Sequence, residues 1–211
     1  MADPAELYDA ILTGNAKKAE EVTKAALAAN VDPSELLGKY MIPAMDEVGK
    51  RFECNEYFVP ELLIAARAMK TSLALLTPKL AAAGAKAVGR VVIGTVQGDL
   101  HDIGKNLVAS MLEGGGFEVV DLGVDVPPQK FVEAAQEKAG SIVALSALLT
   151  TTMTQMKLVV QALEAAGLRD QTKVMIGGAP ITQQYADEIG ADGYSDNASG
   201  AVGAARKLAV G

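Results

Sequence analysis

The sequence predicts an α/β protein: an antiparallel bundle of about four helices, followed by a doubly wound, five-stranded parallel sheet. Three observations predict it. Apolar residues keep helical spacing from Asp3 to about Leu80. A run of small residues, Ala81-Ala82-Ala83-Gly84-Ala85-Lys86, then interrupts the pattern. Beyond it, short β-branched runs alternate strictly with helical stretches. Small residues pack no core, so a boundary costs least there. The expected domains are a helical one over 1–86 and a sheet domain over 87–211.

Each helix has its own signal. Leu7, Ile11 and Leu12 share one face of the first, and Gly14-Asn15 is a stop followed by a new start. The second is alanine-rich from Ala16 to Ala29, with Val22 and Leu27 facing in, and ends at Asn30. Asp32-Pro33-Ser34-Glu35 opens the third with a capping carboxylate, a proline at the first helical position and an acid in the first turn. Its stripe is Leu36, Leu37, Tyr40 and Met41, continuing after Pro43 through Met45, Val48 and Phe52. The fourth begins near Val59-Pro60-Glu61 and runs through Leu62, Ala66, Met69 and Leu73. Short connections make the neighbours antiparallel.

In the second half, Val91–Val96 is a continuous apolar run, the mark of a strand buried on both faces. Helical spacing over Ile103–Leu112 follows and stops at Gly114-Gly115-Gly116. Further strands are expected at Phe117–Leu122, Ile142–Leu145 and Val174–Ile176, with a weak fifth near Asp192–Ser195. Pro127-Pro128 opens a helix to Ala139, Met153–Ala166 forms the next, and Ala198–Leu208 the last. Five alternating strands in this length favour the flavodoxin-like order 2-1-3-4-5.

Composition removes several functional classes. Half of the 211 residues are hydrophobic and only 4% aromatic, so the chain buries an aliphatic core and is not disordered. With one cysteine, Cys54, there is no disulfide scaffold; with one histidine besides, the chain alone cannot build a tetrahedral zinc site. A net charge of −7 argues against nucleic acid or an anionic membrane as the main partner. Met1-Ala2-Asp3-Pro4 lacks the features of a signal peptide, and no apolar run reaches the roughly 18 residues of a membrane span. A cytoplasmic protein is expected.

In the 2-1-3-4-5 order, ligands bind at the carboxyl ends of strands 1 and 3. The loops gathered there are Gln97–Gly104 after strand 1, Ser146–Thr152 after strand 3 and Gly177-Gly178-Ala179-Pro180 after strand 4. Taken singly, each has a plain explanation. A lone histidine beside a helix start is commonly a surface residue, one of Thr150, Thr151 and Thr152 can cap the next helix, and Gly177-Gly178 can simply turn the chain. Their convergence on one crevice argues for a site. An imidazole can ligate a metal through one nitrogen while a carboxylate holds the other N–H, so His101 and Asp99 fit that pairing. Without a second histidine, the metal has to arrive already chelated in a macrocycle. Asp102 is more readily a cap for the helix at Ile103.

At this point a resemblance is specific. Asp99-Leu100-His101-Asp102-Ile103-Gly104, then Ser146-Ala147-Leu148 and Gly177-Gly178, resembles the D-x-H-x-x-G, S-x-L and G-G signature of cobalamin-binding domains. Phe52, the run Tyr57–Leu62 and Ala66-Arg67-Ala68-Met69 resemble the helical cap that precedes such domains in methionine synthase and in corrinoid proteins of methyltransferase systems. The resemblance covers nearly the whole chain.

It implies cobalamin or a related cobamide as cofactor, methylcobalamin during turnover, with His101 as the lower axial cobalt ligand. Asp99 would hydrogen-bond His101, and Thr152 matches the hydroxyl of the ligand relay, where the family pattern has serine. Ser146 and Thr150 match positions near the nucleotide tail, and Gly177 and Gly178 would let the backbone approach it. Asp102, Ile103, Gly104 and Leu148 belong to the same cofactor-binding motifs. Phe52, Val59 and Leu62 match apolar residues over the methyl-bearing face, although each could equally be bundle core.

The implied role is a methyl-carrier subunit, not catalytically complete alone, in a methanol, methylamine or aryl methyl ether system. Its partners would be a substrate-specific methyltransferase, an acceptor-side methyltransferase (tetrahydrofolate or thiol acceptor) and a reductive activase. The alternatives are a subunit of an adenosylcobalamin-dependent isomerase, which needs a large barrel, and a cobalamin sensor, which needs a basic DNA-reading domain.

Overall fold

The computed structural model describes residues 3–84 and 87–210. By its internal contacts the chain divides into two compact units, Met1–Ala87 with Glu113–Gly116, and Val88–Leu112 with Phe117–Gly211. The boundary expected at 86 falls on residues 85–86, outside the described residues.

The first unit is helical. α1 spans Ala5–Leu12, and α2 spans Ala16–Ala28, capped by the Asn15 side chain accepting from the Lys18 N–H at 3.0 Å. Asp32 accepts from the Ser34 N–H at the start of α3, Pro33–Glu35, which continues without a break through a π-helical stretch, Leu36–Met41, into α4, Ile42–Glu53. Pro43 explains the π-helical stretch. It cannot donate to the Lys39 carbonyl and its ring crowds that carbonyl, so the turn before it widens. α5 runs from Val59 to Ala82, with the Glu61 carboxylate accepting from the Phe58 N–H at 2.9 Å. Ala81 and Ala82, expected in the linker, therefore belong to a helix; alanine packs no core but is the best helix former. Leu7, Ile11, Val22, Leu36, Met41, Val48, Leu62, Met69 and Leu76 fill the core. Across it the Thr23 hydroxyl donates to Ser72 Oγ at 3.0 Å, tying α2 to α5.

The second unit is the five-stranded parallel sheet, in the order β2-β1-β3-β4-β5. Its strands are β1 Arg90–Thr95, β2 Glu118–Asp121, β3 Ser141–Ser146, β4 Lys173–Gly177 and β5 Gly193–Ser195. The connecting helices are α6 Ile103–Gly114, α7 Pro128–Gln136, α8 Thr154–Ala165, α9 Gln183–Ile189 and α10 Ala198–Val210. β1 is buried along its whole length, as its unbroken apolar run requires. β2 is an edge strand, and Phe117 and Leu122 lie just outside it. The register aligns Thr95 with Ser146, Ser146 with Gly177 and Gly177 with Ser195. Those four residues stand side by side at the carboxyl edge, which positions everything below.

Candidate functional site

The loop leaving β1 carries the central pair. Asp99 is fully buried, and His101 keeps 54% of its side chain exposed. His101 Nδ1 lies 2.9 Å from Asp99 Oδ1, which also accepts the His101 backbone N–H at 3.1 Å. Asp99 Oδ2 accepts the Thr152 hydroxyl at 2.7 Å and the Leu148 N–H at 2.8 Å. Burial pushes the Asp99 pKa up, but the bonds from Leu148, Thr152 and His101 outweigh it and hold the carboxyl far below the ordinary carboxylate range. An ionised carboxylate only accepts, so the His101 ring carries its proton on Nδ1. In the neutral tautomer this leaves the Nε2 lone pair free to accept or ligate.

The same loop is tied down elsewhere. The Thr95 hydroxyl, fully buried, donates to the His101 carbonyl at 2.8 Å. Asp102 sits at the head of α6, its carbonyl accepting the Asn106 N–H at 2.7 Å and its Oδ2 the Asn106 side-chain amide at 3.1 Å. Leu100 (72%) and Ile103 (80%) are strongly exposed apolar side chains on either side of His101, while Leu148 and Leu149 are exposed on the loop after β3. Apolar side chains held in solvent beside an imidazole suit contact with a broad, largely apolar surface.

Beside the pair lies a cavity of about 330 Å³, within the range of small-molecule sites, ~300–1,000 Å³. His101, Gly104, Ser146, Leu148, Gly177 and Gly178 all line it. Its walls are aliphatic, including Ile93, Leu107, Ala144, Met175 and Ile176. Gly178 has φ +130, and a Cβ there would fall 1.9 Å from the Ala147 carbonyl oxygen; one on Gly177 would lie 3.0 Å from the Ser195 oxygen. Gly178 is therefore required by the packing of the chain itself, Gly177 sits in a tight contact, and together they leave the cavity wall there without side chains.

Several expectations are corrected. Thr150 is exposed and does not line the cavity, whereas Ser146 and Ser195 at the strand ends do. No threonine side chain caps α8, whose N-cap residue is Met153; the Thr152 hydroxyl is spent on Asp99 instead. Leu62 is fully buried in the helical unit, so it has no surface with which to cover a ligand. Phe52 is half-buried, Val59 is 42% exposed, and the exposed apolar side chains at the start of α5 are Phe58, Val59, Leu63 and Ile64. Sequence reasoning also missed Lys105, which is buried in the cavity wall and paired with Asp121, together with Ser195 and Asn197 at the mouth of α10. Lys105 is the residue after Gly104 and was within reach of the motif; Ser195 and Asn197 become visible only through strand register.

A parallel sheet that presents one imidazole, backed by a buried carboxylate and flanked by a slot left bare at Gly177 and Gly178, suits the class of proteins that hold a metal cofactor already chelated. Among the described residues no group of three His, Cys, Asp or Glu side chains gathers to hold a bare ion. The partly buried Ser146 hydroxyl borders the slot, so a polar atom of a ligand has a group to meet there. The residues fit a corrinoid.

Comparison with known proteins agrees. B12 binding domain models match residues 89–203 and 5–77. The chain is 48% identical to trimethylamine corrinoid protein 1 of Methanosarcina acetivorans over 206 residues, 97% of this chain and 95% of that one. It is 44% identical to dimethylamine corrinoid protein 3 of the same organism over 203 residues, 96% and 95% of the two chains. The methanol:cobalamin methyltransferase complex of Methanosarcina barkeri contains a chain with a TM-score of 0.85 and 31% identity, over 97% of this chain and 78% of that one. The chain belongs to the B12-binding corrinoid protein family of corrinoid-dependent methyltransferase systems, and it binds a cobamide. Among the described residues no helix is long and apolar enough to cross a membrane.

Proposed function

We propose that this protein carries a methyl group between a methylamine:corrinoid methyltransferase and a second methyltransferase that delivers it to an acceptor. A bound cobamide supplies the cobalt that accepts the methyl group and gives it up again. The chain's residues bind and orient. His101 Nε2 would ligate the cobalt, and Asp99 Oδ1 would hold the proton on Nδ1 and with it the plane of the ring. Thr152 and Leu148 keep the carboxylate in place, and the aliphatic slot holds the tail away from water. Phe58 and Val59, with Phe52, are the apolar candidates for the cover of the methyl-bearing face.

The observation that carries this reading is the 2.9 Å contact between His101 Nδ1 and a fully buried Asp99, which leaves one directed nitrogen. The relatives' names favour methylamines over methanol or aryl methyl ethers as the donor class. Two measurements test it. In the Co(II) EPR spectrum of the loaded protein, histidine nitrogen splitting is expected and must change on nitrogen-15 histidine labelling. With candidate methyltransferases, trimethylamine, dimethylamine and monomethylamine should methylate the cofactor and methanol should not; the reverse order would remove the methylamine assignment.

A further inference from the structure

We propose that Asp125, on the loop between β2 and α7, is a positioning residue for His101. Among the described residues, the non-glycines with positive φ are Asn30, Asn55 and Asp125, whose φ is +54. That backbone is left-handed, where an L side chain is uncommon and glycine is free. Glycine would relieve the position, yet it carries a carboxylate. The carboxylate has a specific use: Asp125 Oδ1 accepts the Gly98 N–H at 2.7 Å.

The main chain completes the hold. The Asp125 N–H donates to the Asp99 carbonyl at 3.0 Å, and the next residue, Val126, donates to the Thr95 carbonyl at 3.0 Å. Asp125 thus grips two successive residues, Gly98 and Asp99, the second of them two residues before His101. The left-handed turn lets one residue present both its N–H and its side-chain oxygen to the same loop. Helix capping does not explain it, because the N-cap of α7 is Pro127 and has no side-chain bond. Asp99 fixes the ring of His101, and Asp125 fixes the loop from which both residues hang. Without it the loop's conformations multiply and fewer of them aim Nε2 at cobalt.

The inference rests on His101 being the lower ligand, and the test separates the two. Asp125→Gly removes the carboxylate and suits the backbone; Asp125→Asn keeps an acceptor oxygen and tolerates the left-handed turn. In the cofactor-free full chain, amide exchange at Gly98 should quicken about three- to tenfold in Asp125→Gly, the size of one modest hydrogen bond, and return to the wild-type rate in Asp125→Asn. In the cobamide-loaded chain, the ratio of histidine-ligated to unligated Co(II) EPR signal should fall by a similar factor in Asp125→Gly and recover in Asp125→Asn. Wild-type protein without histidine splitting overturns the ligand assignment and the inference with it. Wild-type splitting that persists undiminished in Asp125→Gly, or unchanged Gly98 exchange, overturns the role of Asp125 alone.

Discussion

The Thr152 hydroxyl donates to Asp99 Oδ2 at 2.7 Å across 53 residues of sequence. The other oxygen of the same carboxylate faces the His101 ring. One buried group thus joins the loop after β1 to the loop after β3, and the orientation of the imidazole depends on a hydroxyl from the far side of the site.

Comparing Thr152→Ser with Thr152→Ala isolates that hydroxyl, since both lose the methyl group. The alanine variant should be less stable than the serine variant by about 1.5–3 kcal/mol, the worth of a hydrogen bond to a charged group. Urea denaturation of the cofactor-free protein measures the difference. Equal stabilities would mean that Leu148 and water satisfy Asp99 Oδ2 by themselves.

Asp99 also sets an acid limit on stability. Its carboxyl is held below the unfolded value of about 3.9, against the upward push of burial, by the bonds from Leu148, Thr152 and His101. A depressed carboxylate contributes stability that is full above the unfolded pKa and is lost as pH falls below it. The stability gap between wild type and Asp99→Asn should therefore shrink as pH falls from about pH 5 to below about pH 4. Thermal melts of both proteins over that range provide the check; a gap that widens with acid contradicts the assignment.

Two glycines of the site should respond oppositely to a methyl group. Gly178→Ala places Cβ 1.9 Å from the Ala147 oxygen on a backbone with φ +130, and it should cost more than about 4 kcal/mol or prevent folding. Gly104→Ala meets nothing within 4 Å and lies in α6, so it should stabilise the cofactor-free chain by about 0.5–1 kcal/mol. Because Gly104 lines the cavity, the same change should weaken cobamide binding. Calorimetric melts and a binding titration read the two effects separately.

In the helical unit, core and cover separate by mutation. Leu62→Ala removes a fully buried side chain and should cost about 2–5 kcal/mol. Val59→Ser, at a half-exposed position, should change stability by less than about 1 kcal/mol. If Val59 covers the methyl-bearing face, its variant should instead change the stability of the bound methyl group to light and water. Photolysis rates of the loaded protein measure that.

The sequence by itself determined the change of period near residue 86, the alternation of strands and helices, the sheet order and the loops that meet at its edge. It also determined the Asp99–His101 pair. These are local properties: periodicity is written within a segment, and two residues spaced by one across a tight loop are within reach of each other. Thr152 was reachable by resemblance alone, since spacing does not separate it from Thr150 or Thr151. Only the tertiary structure decided that Thr150 lies outside the cavity lining, that Leu62 belongs to the core and that Ser195 stands in line with Ser146. It alone brought Asp125 to Gly98, 27 residues away. Such contacts depend on strand register and on the packing of distant segments, and an apolar or hydroxyl residue carries no local mark of which of two surfaces it will meet.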